Sequence, residues 1–208
     1  GFEWLWRNFL AWTGCCLSDE MGLGKTLQTI ALLLKYKETT KTARRQPSPG
    51  MLFSEEEMTG AADSHRAEGS VLDYKPSLVV APASVVYNWR NELHRFAPTL
   101  SVFAYTGDVG RRRAMRAQLK SCDVVLVSYH TLLNDIDFLE TMEFGIAVFD
   151  ESQMFKTHPS QTHQAVARIK ALHRQALSGT PVENNLGELW SLMNVLNPLL
   201  LGDAHSFQ

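Results

Sequence analysis

The stretch LSDEMGLGKTLQTIALLL, residues 17–34, sets an acidic pair ahead of two glycines that flank one leucine, then Lys-Thr, then a run of helical character. Gly22 and Gly24 let backbone N–H groups turn toward one point without a Cβ in the way, and a helix starting at Lys25 adds its positive dipole end. Together these features describe an anion cradle. In a phosphate-binding loop a lysine placed like Lys25 reaches the β- and γ-phosphates, and a hydroxyl placed like that of Thr26 ligates Mg²⁺. The pattern G-x-x-x-x-G-K-[ST] is met only in part, because Asp19 stands where its first glycine belongs. On these residues alone, a flexible loop at a helix start is the alternative.

Outward from this stretch, short β-branched runs alternate with amphipathic segments. CCLS (15–18), SLVVAP (77–82), LSVFAY (100–105), DVVLVSY (123–129), GIAVFDE (145–151) and RQALSG (174–179) read as strands. Lys25 to about Lys37, Ser84–Phe96 with Ser84 as N-cap, Val109–Lys120, Gln161–Leu172 and Leu186–Leu196 read as helices. Such alternation predicts a mainly parallel sheet with helices on both faces, three layers in all, and ligands at the carboxyl ends of its strands. Residues 39–75, rich in Thr, Ser, Pro, Gly and mixed charge, have little to bury and read as a flexible surface insertion.

A second acidic constellation closes the run GIAVFDE. Asp150 and Glu151 stand at a strand tip, where one carboxylate can hold a metal and the other can polarise a water, the division of labour of a Walker-B pair. An acidic turn capping a helix is the other reading of these two residues.

Composition bounds the rest. With 208 residues, 45% of them apolar, the chain can fill a core, and a formal net charge of −2 leaves any nucleic-acid binding to local patches. Cys15, Cys16 and Cys122 make neither a disulfide framework nor a metal-ligand spacing, and the histidines show no paired metal spacing. No apolar run approaches the roughly 20 residues of a membrane span, so no membrane partner is expected. RRRAMR (111–116) reads as a solvated basic helix or, alternatively, as a phosphate contact. Leu186, Leu189, Trp190, Met193 and Leu196 recur at helical spacing and read as core.

Five stretches then carry a family resemblance: DEMGLGKTLQT (19–29), LVVAPASVVYNWRNEL (78–93), VSYHTLLND (127–135), DESQMFKTHPSQTHQA (150–165) and LSGTPVENNLGELWSLMNVLNP (177–198). In this order they resemble motifs I, Ia, Ib, II and III of the first RecA-like lobe of a Swi/Snf-type ATPase of helicase superfamily two. In that family the acid-pair form of motif I replaces the first Walker glycine, which accounts for Asp19. The resemblance implies an α/β P-loop NTPase lobe over residues 1–208, with ATP and Mg²⁺ as cofactors. It places Asp19, Gly22, Leu23, Gly24, Lys25, Thr26 and Leu27 around the nucleotide, Thr26 and Asp150 at Mg²⁺, and Lys25, Asp150 and Glu151 in catalysis. Gln153, Ser178, Gly179 and Thr180 would couple the nucleotide site to motif III, while Pro82, Ala83, Ser128, Tyr129, Asn184 and Asn185 would lie along nucleic acid. The N-terminal GFEWLWRNFLAW resembles the helix after the family's Q motif.

The implied function is ATP-driven translocation on double-stranded DNA that remodels protein–DNA complexes, in a bacterial cytoplasm or, in a eukaryote, the nucleus. Remodelling of RNA polymerase or another nucleic-acid machine is the alternative, as is a nucleotide-binding scaffold without hydrolysis. Nothing after residue 198 resembles motifs IV to VI, so the second RecA-like lobe, which supplies arginines to the ATP site, is expected as a partner outside these 208 residues.

Overall fold

Strands covered on both faces are apolar at nearly every position, and β2 (Ser77–Ala81), β4 (Val124–Ser128) and β5 (Glu143–Phe149) are buried throughout except at Glu143. The computed structural model describes residues 1–19, 22–45, 74–155, 160–179, 186–198 and 200–202, with the backbone alone over 41–45. Among these residues, β1 (Cys15–Leu17), β3 (Val102–Ala104) and β6 (Lys170–Leu177) complete a six-stranded sheet. Its order is β1-β6-β5-β2-β4-β3 and every pairing is parallel.

Alternation along each strand sends side chains to two cores. Val79, Ala81 and Leu126 meet Leu5 and Phe9 of α1 (Phe2–Leu10), Ile30, Leu33 and Tyr36 of α2 (Lys25–Arg45), and Trp89 and Leu93 of α3 (Ala83–Phe96). Leu78, Val80 and Val127 meet Leu132, Ile136 and Leu139 of α5 (Tyr129–Leu139), Val166 of α6 (Gln161–Arg168) and Val195 of α7 (Leu186–Leu196). These are the three layers expected from the sequence.

Several boundaries differ from the sequence reading, each for a local reason. Helix α2 runs to Arg45, so residues 39–45 are helical rather than part of the insertion, and Thr40 is buried with its hydroxyl donated to the Tyr36 carbonyl. Residues 46–73 of that insertion lie outside the described residues. Helix α3 starts one residue early, on Pro82, whose fixed φ of −55° sets up the first turn, and Ser84 caps nothing. Helix α4 (Val109–Met115) is followed by a 3-10 turn to Lys120, and Asp108 caps it by accepting from the Arg111 N–H. Helix α6 ends at Arg168 because β6 begins at Lys170. In α7 the buried stripe is Trp190, Ser191, Leu192, Val195 and Leu196, and Leu186 is exposed.

The basic run is not simply solvated. Arg112 is 6% exposed and gives its Nε to Asp135 Oδ2 at 2.7 Å, where the Tyr105 hydroxyl also donates at 2.7 Å. Arg116 lies 4.3 Å from the centroid of the Phe138 ring. Burial alone would raise the Asp135 carboxyl, but the bonds from Arg112 and Tyr105 hold it below its ordinary value.

At the amino ends of β3 and β4 a second buried carboxylate gathers the chain. Asp123 accepts from Lys37 at 2.7 Å, from the Tyr74 hydroxyl at 2.7 Å, and from the Ser101 N–H and hydroxyl at 2.8 Å each. Burial alone would raise its carboxyl, yet the Lys37 ammonium and the hydrogen bonds from Ser101 and Tyr74 hold it well below the usual carboxylate range. A depressed folded value means that the stabilisation is complete above the unfolded value of about 3.9 and is lost as pH falls through the folded value. Asp123→Ala is expected to cost about 3 kcal/mol at pH 7, because it leaves the mostly buried Lys37 ammonium only the Thr99 carbonyl and removes the acceptor of Tyr74 and Ser101. Urea denaturation of both proteins should show that gap narrowing on acidification toward about pH 3.

Candidate nucleotide-binding site

Parallel strands place all their carboxyl ends on one side of the sheet, and the residues singled out in the sequence follow those ends. Asp19 comes two residues after β1, Ser178 and Gly179 follow β6, Asp150 and Glu151 follow β5, Pro82 and Ala83 follow β2, and Ser128 with Tyr129 joins β4 to α5. Thr180, Asn184 and Asn185 lie outside the described residues.

The glycine loop has the backbone its sequence requires. Gly22 and Gly24 take φ values of +85° and +74°, the left-handed region that costs a side chain, and no described atom lies within 4 Å of a Cβ built on either. Helix α2 starts at Lys25, whose Nζ donates to the Asp19 carbonyl at 2.5 Å and so lies over the loop. Thr26 is half-buried in the first turn, while Leu23 and Leu27 are exposed. Ser178 gives its N–H to the Leu17 carbonyl at 3.2 Å, which brings the end of β6 beside the loop.

Asp150 is held from several directions. Its N–H donates to the Val80 carbonyl at 2.8 Å, its carbonyl accepts from the Tyr129 hydroxyl at 2.9 Å, Oδ2 accepts from the Trp89 indole at 2.8 Å, and Oδ1 accepts from the Glu151 N–H at 2.9 Å. Burial nevertheless pushes the carboxyl above its ordinary value and the Glu151 charge adds to this, against the two hydrogen bonds and the Lys25 charge. A carboxylate in that state is under-compensated by the protein and gains from a nearby cation. The donor set suits Mg²⁺: a carboxylate and a hydroxyl, hard oxygens of the kind that ion takes one or two at a time, completing its shell from phosphates and water. Among the described residues no cluster of three or more His, Cys, Asp or Glu forms a closed metal cage.

Glu151 adopts φ +53°, unusual for a side-chain-bearing residue and typical of strain kept at functional sites. The turn, rather than strand alternation, separates its carboxylate from that of Asp150. Gln153 donates to Glu151 Oε2 at 2.6 Å, so it bears directly on the orientation of that group.

Beside this site a groove of about 350 Å³ opens over the ends of β2, β3 and β4, lined by Ala83, Tyr87, Arg90, Ala104, Ser128 and Thr131 among others. Tyr87 is 65% exposed there. Ser128 and Tyr129, by contrast, are buried: the Ser128 hydroxyl caps α5 by accepting from the Thr131 N–H, and the Tyr129 hydroxyl is committed to Asp150.

Comparison with known proteins decides the family, since the SNF2-related domain matches residues 1–208, the whole chain. The chain belongs to the SNF2-related domain family. The Sulfolobus solfataricus SWI2/SNF2 ATPase core, solved in complex with double-stranded DNA, superposes on this SNF2 domain with a TM-score of 0.77 and 35% identity, covering 100% of this chain and 36% of that one. The TATA-binding protein-associated factor mot1 of Schizosaccharomyces pombe is 37% identical over 193 residues, 92% of this chain and 9% of that protein. The mouse chromodomain-helicase-DNA-binding protein 1-like is 35% identical over 201 residues, 95% of this chain and 19% of that protein. This SNF2 domain thus spans only a fraction of the relatives it matches.

Two contributors escaped the sequence reading. Trp89 stands with Val86 and Leu93 at helical spacing, a signal for the buried face of α3 but not for a bond to Asp150. Gln175, fully buried in β6, donates to the Thr29 hydroxyl at 2.9 Å, which donates to the Lys25 carbonyl at 2.9 Å, and no pattern in the sequence marks that link. Alanine at Gly24 is expected to cost about 1–2 kcal/mol, the penalty of the left-handed region. Calorimetry should record a melting temperature lower by roughly 2–8 °C.

Proposed function

We propose that this SNF2 domain binds ATP with Mg²⁺ and, closed against a second RecA-like lobe of the same parent chain, drives translocation along double-stranded DNA that remodels protein–DNA complexes. One observation carries the reading: the glycine loop with Lys25 and the Asp150–Glu151 pair stand at the carboxyl ends of strands of one parallel sheet, with an exposed groove along the neighbouring strand ends. The names of the relatives, which join DNA, the TATA-binding protein and an ATPase core, agree with it.

In this reading the loop N–H groups and Lys25 bind the phosphates, and Thr26 and Asp150 hold Mg²⁺. The bound ion neutralises charge on the phosphate oxygens. Glu151 takes the proton of the attacking water, and Gln153 keeps its carboxylate turned toward that task. Gln153, Ser178, Gly179 and Thr180 connect the site with the lobe interface. Along the groove, the N–H groups of Ala83 and Ser84, which open α3 after Pro82, are offered to a strand's phosphates, contacts that position without reading sequence. Ser128 lines the groove and Tyr129 beside it ties the start of α5 to Asp150, while Asn184 and Asn185 are assigned to nucleic acid on the family resemblance alone. The domain acts wherever its DNA is, the cytoplasm of a bacterium or the nucleus of a eukaryote.

Phosphate release with and without duplex DNA tests the proposal. The full-length protein should show duplex-stimulated hydrolysis, whereas the 208 residues alone should hydrolyse slowly with no measurable stimulation, since an arginine supplied in trans is worth roughly 10³ to 10⁵ in rate. In the full-length protein Glu151→Gln should abolish turnover and spare ATP binding, and Lys25→Ala should weaken ATP–Mg²⁺ binding itself. Wild-type affinity in Lys25→Ala, or strong duplex stimulation of the short chain, would overturn the assignment.

A further inference from the structure

The indole of Trp89 is 1% exposed, in the core between α3 and the sheet, yet its N–H does not go to a backbone carbonyl. It donates to Asp150 Oδ2 at 2.8 Å, across 61 residues of chain. The other carboxylate oxygen is fixed by the Glu151 N–H. Each oxygen therefore keeps a lone pair for a further partner while the plane of the carboxylate is set jointly by the β5 turn and by α3. That matters here because the strained turn at Glu151 supplies a bond to one carboxylate oxygen only, and the bond to the other comes from α3. Groups that hydrogen-bond a metal-holding carboxylate orient it, and their removal typically costs roughly 10- to 100-fold in metal affinity.

We propose that Trp89 is a positioning residue of the metal site, its indole N–H holding Asp150 in the orientation that receives Mg²⁺. The proposal rests on the nucleotide-site reading above and adds a residue to it. It also makes α3 a shared element: its buried face holds Asp150 through Trp89, while Tyr87 and Arg90, flanking that residue, line the groove.

The test is a Mg²⁺ titration of the binding of a fluorescent ATP analogue by the full-length protein, read as the Mg²⁺ concentration at half-maximal enhancement, alongside binding in excess chelator. Trp89 is replaced by β-(3-benzothienyl)alanine, which keeps the ring shape but puts sulfur where the N–H stood, and in a second variant by Phe. Both replacements should raise the Mg²⁺ midpoint by roughly tenfold or more and leave metal-free nucleotide binding unchanged, because only the metal-holding group is disturbed. An unchanged midpoint in the benzothienyl protein overturns the proposal. So does an equal loss of binding with and without Mg²⁺, which would mark Trp89 as packing alone. Asp150→Ala separates the two levels: if it also leaves the Mg²⁺ dependence unchanged, the metal assignment of Asp150 itself fails, and if it abolishes that dependence while both Trp89 proteins match wild type, only the role of Trp89 fails.

Discussion

Asp150 stands half-buried at the tip of a buried parallel strand, where partial removal from water disfavours its ionised form, and neighbouring elements converge on both its backbone and its side chain. Strand β2 takes its N–H through Val80, the start of α5 takes its carbonyl through Tyr129, and α3 reaches its side chain through Trp89. Backbone and side chain are thereby pinned separately, as a group must be if it is to meet a ligand at a fixed angle. The elements that do the pinning come from opposite faces of the sheet, with Trp89 in one core and Tyr129 in the other. Disturbing either layer therefore reaches the same residue.

Asp150 differs in its surroundings from the two buried carboxylates, Asp123 and Asp135. Asp123, at the amino ends of the strands, is supplied with an ammonium, two hydroxyls and a backbone N–H, and its carboxyl is held down. Asp135 has a guanidinium and a phenol, with the same result. Asp150, at the carboxyl ends, receives two N–H donors and, among the described residues, no direct cation, and its carboxyl is pushed up. The deficit falls at the strand ends where ligands of such sheets bind.

The fold was legible because its signals are periodic. Continuous apolar runs of five to seven residues between amphipathic stretches specify a parallel sheet whichever residues fill it, and β2, β4 and β5 were found within about two residues of their observed bounds. The backbone of the glycine loop and the strand-tip position of the acid pair were legible because such motifs constrain residue type and spacing together. What failed depended on distant partners. Helix α5 was missed because Ser128 and Tyr129 continue an apolar strand, and only the Ser128 cap onto Thr131 turns the chain into a helix. Arg112 was taken for a solvated charge because its partner Asp135 lies 23 residues away, and α2 outran its apolar stripe because helix propensity carries it through polar residues. Side-chain bonds across the sheet, such as Trp89 to Asp150 and Gln175 to Thr29, leave no periodic trace.

Such bonds bear on how occupancy of the groove can be felt at the nucleotide. Between Ala83 and Trp89 a helix rises roughly 9 Å at 1.5 Å per residue, less than two turns, so a load on the first turn is transmitted by a rigid rod rather than through a loop. The same holds on the other side, where β4 runs directly into α5 and Tyr129 is the first residue of the helix. Both groove walls thus end on Asp150 by one hydrogen bond each, one on the carboxylate and one on its backbone carbonyl. On the proposed reading, a strand of DNA in the groove that shifts α3 relative to α5 would either stretch one of these bonds or rotate Asp150, and the geometry of a metal-holding carboxylate is sensitive to rotations of that kind.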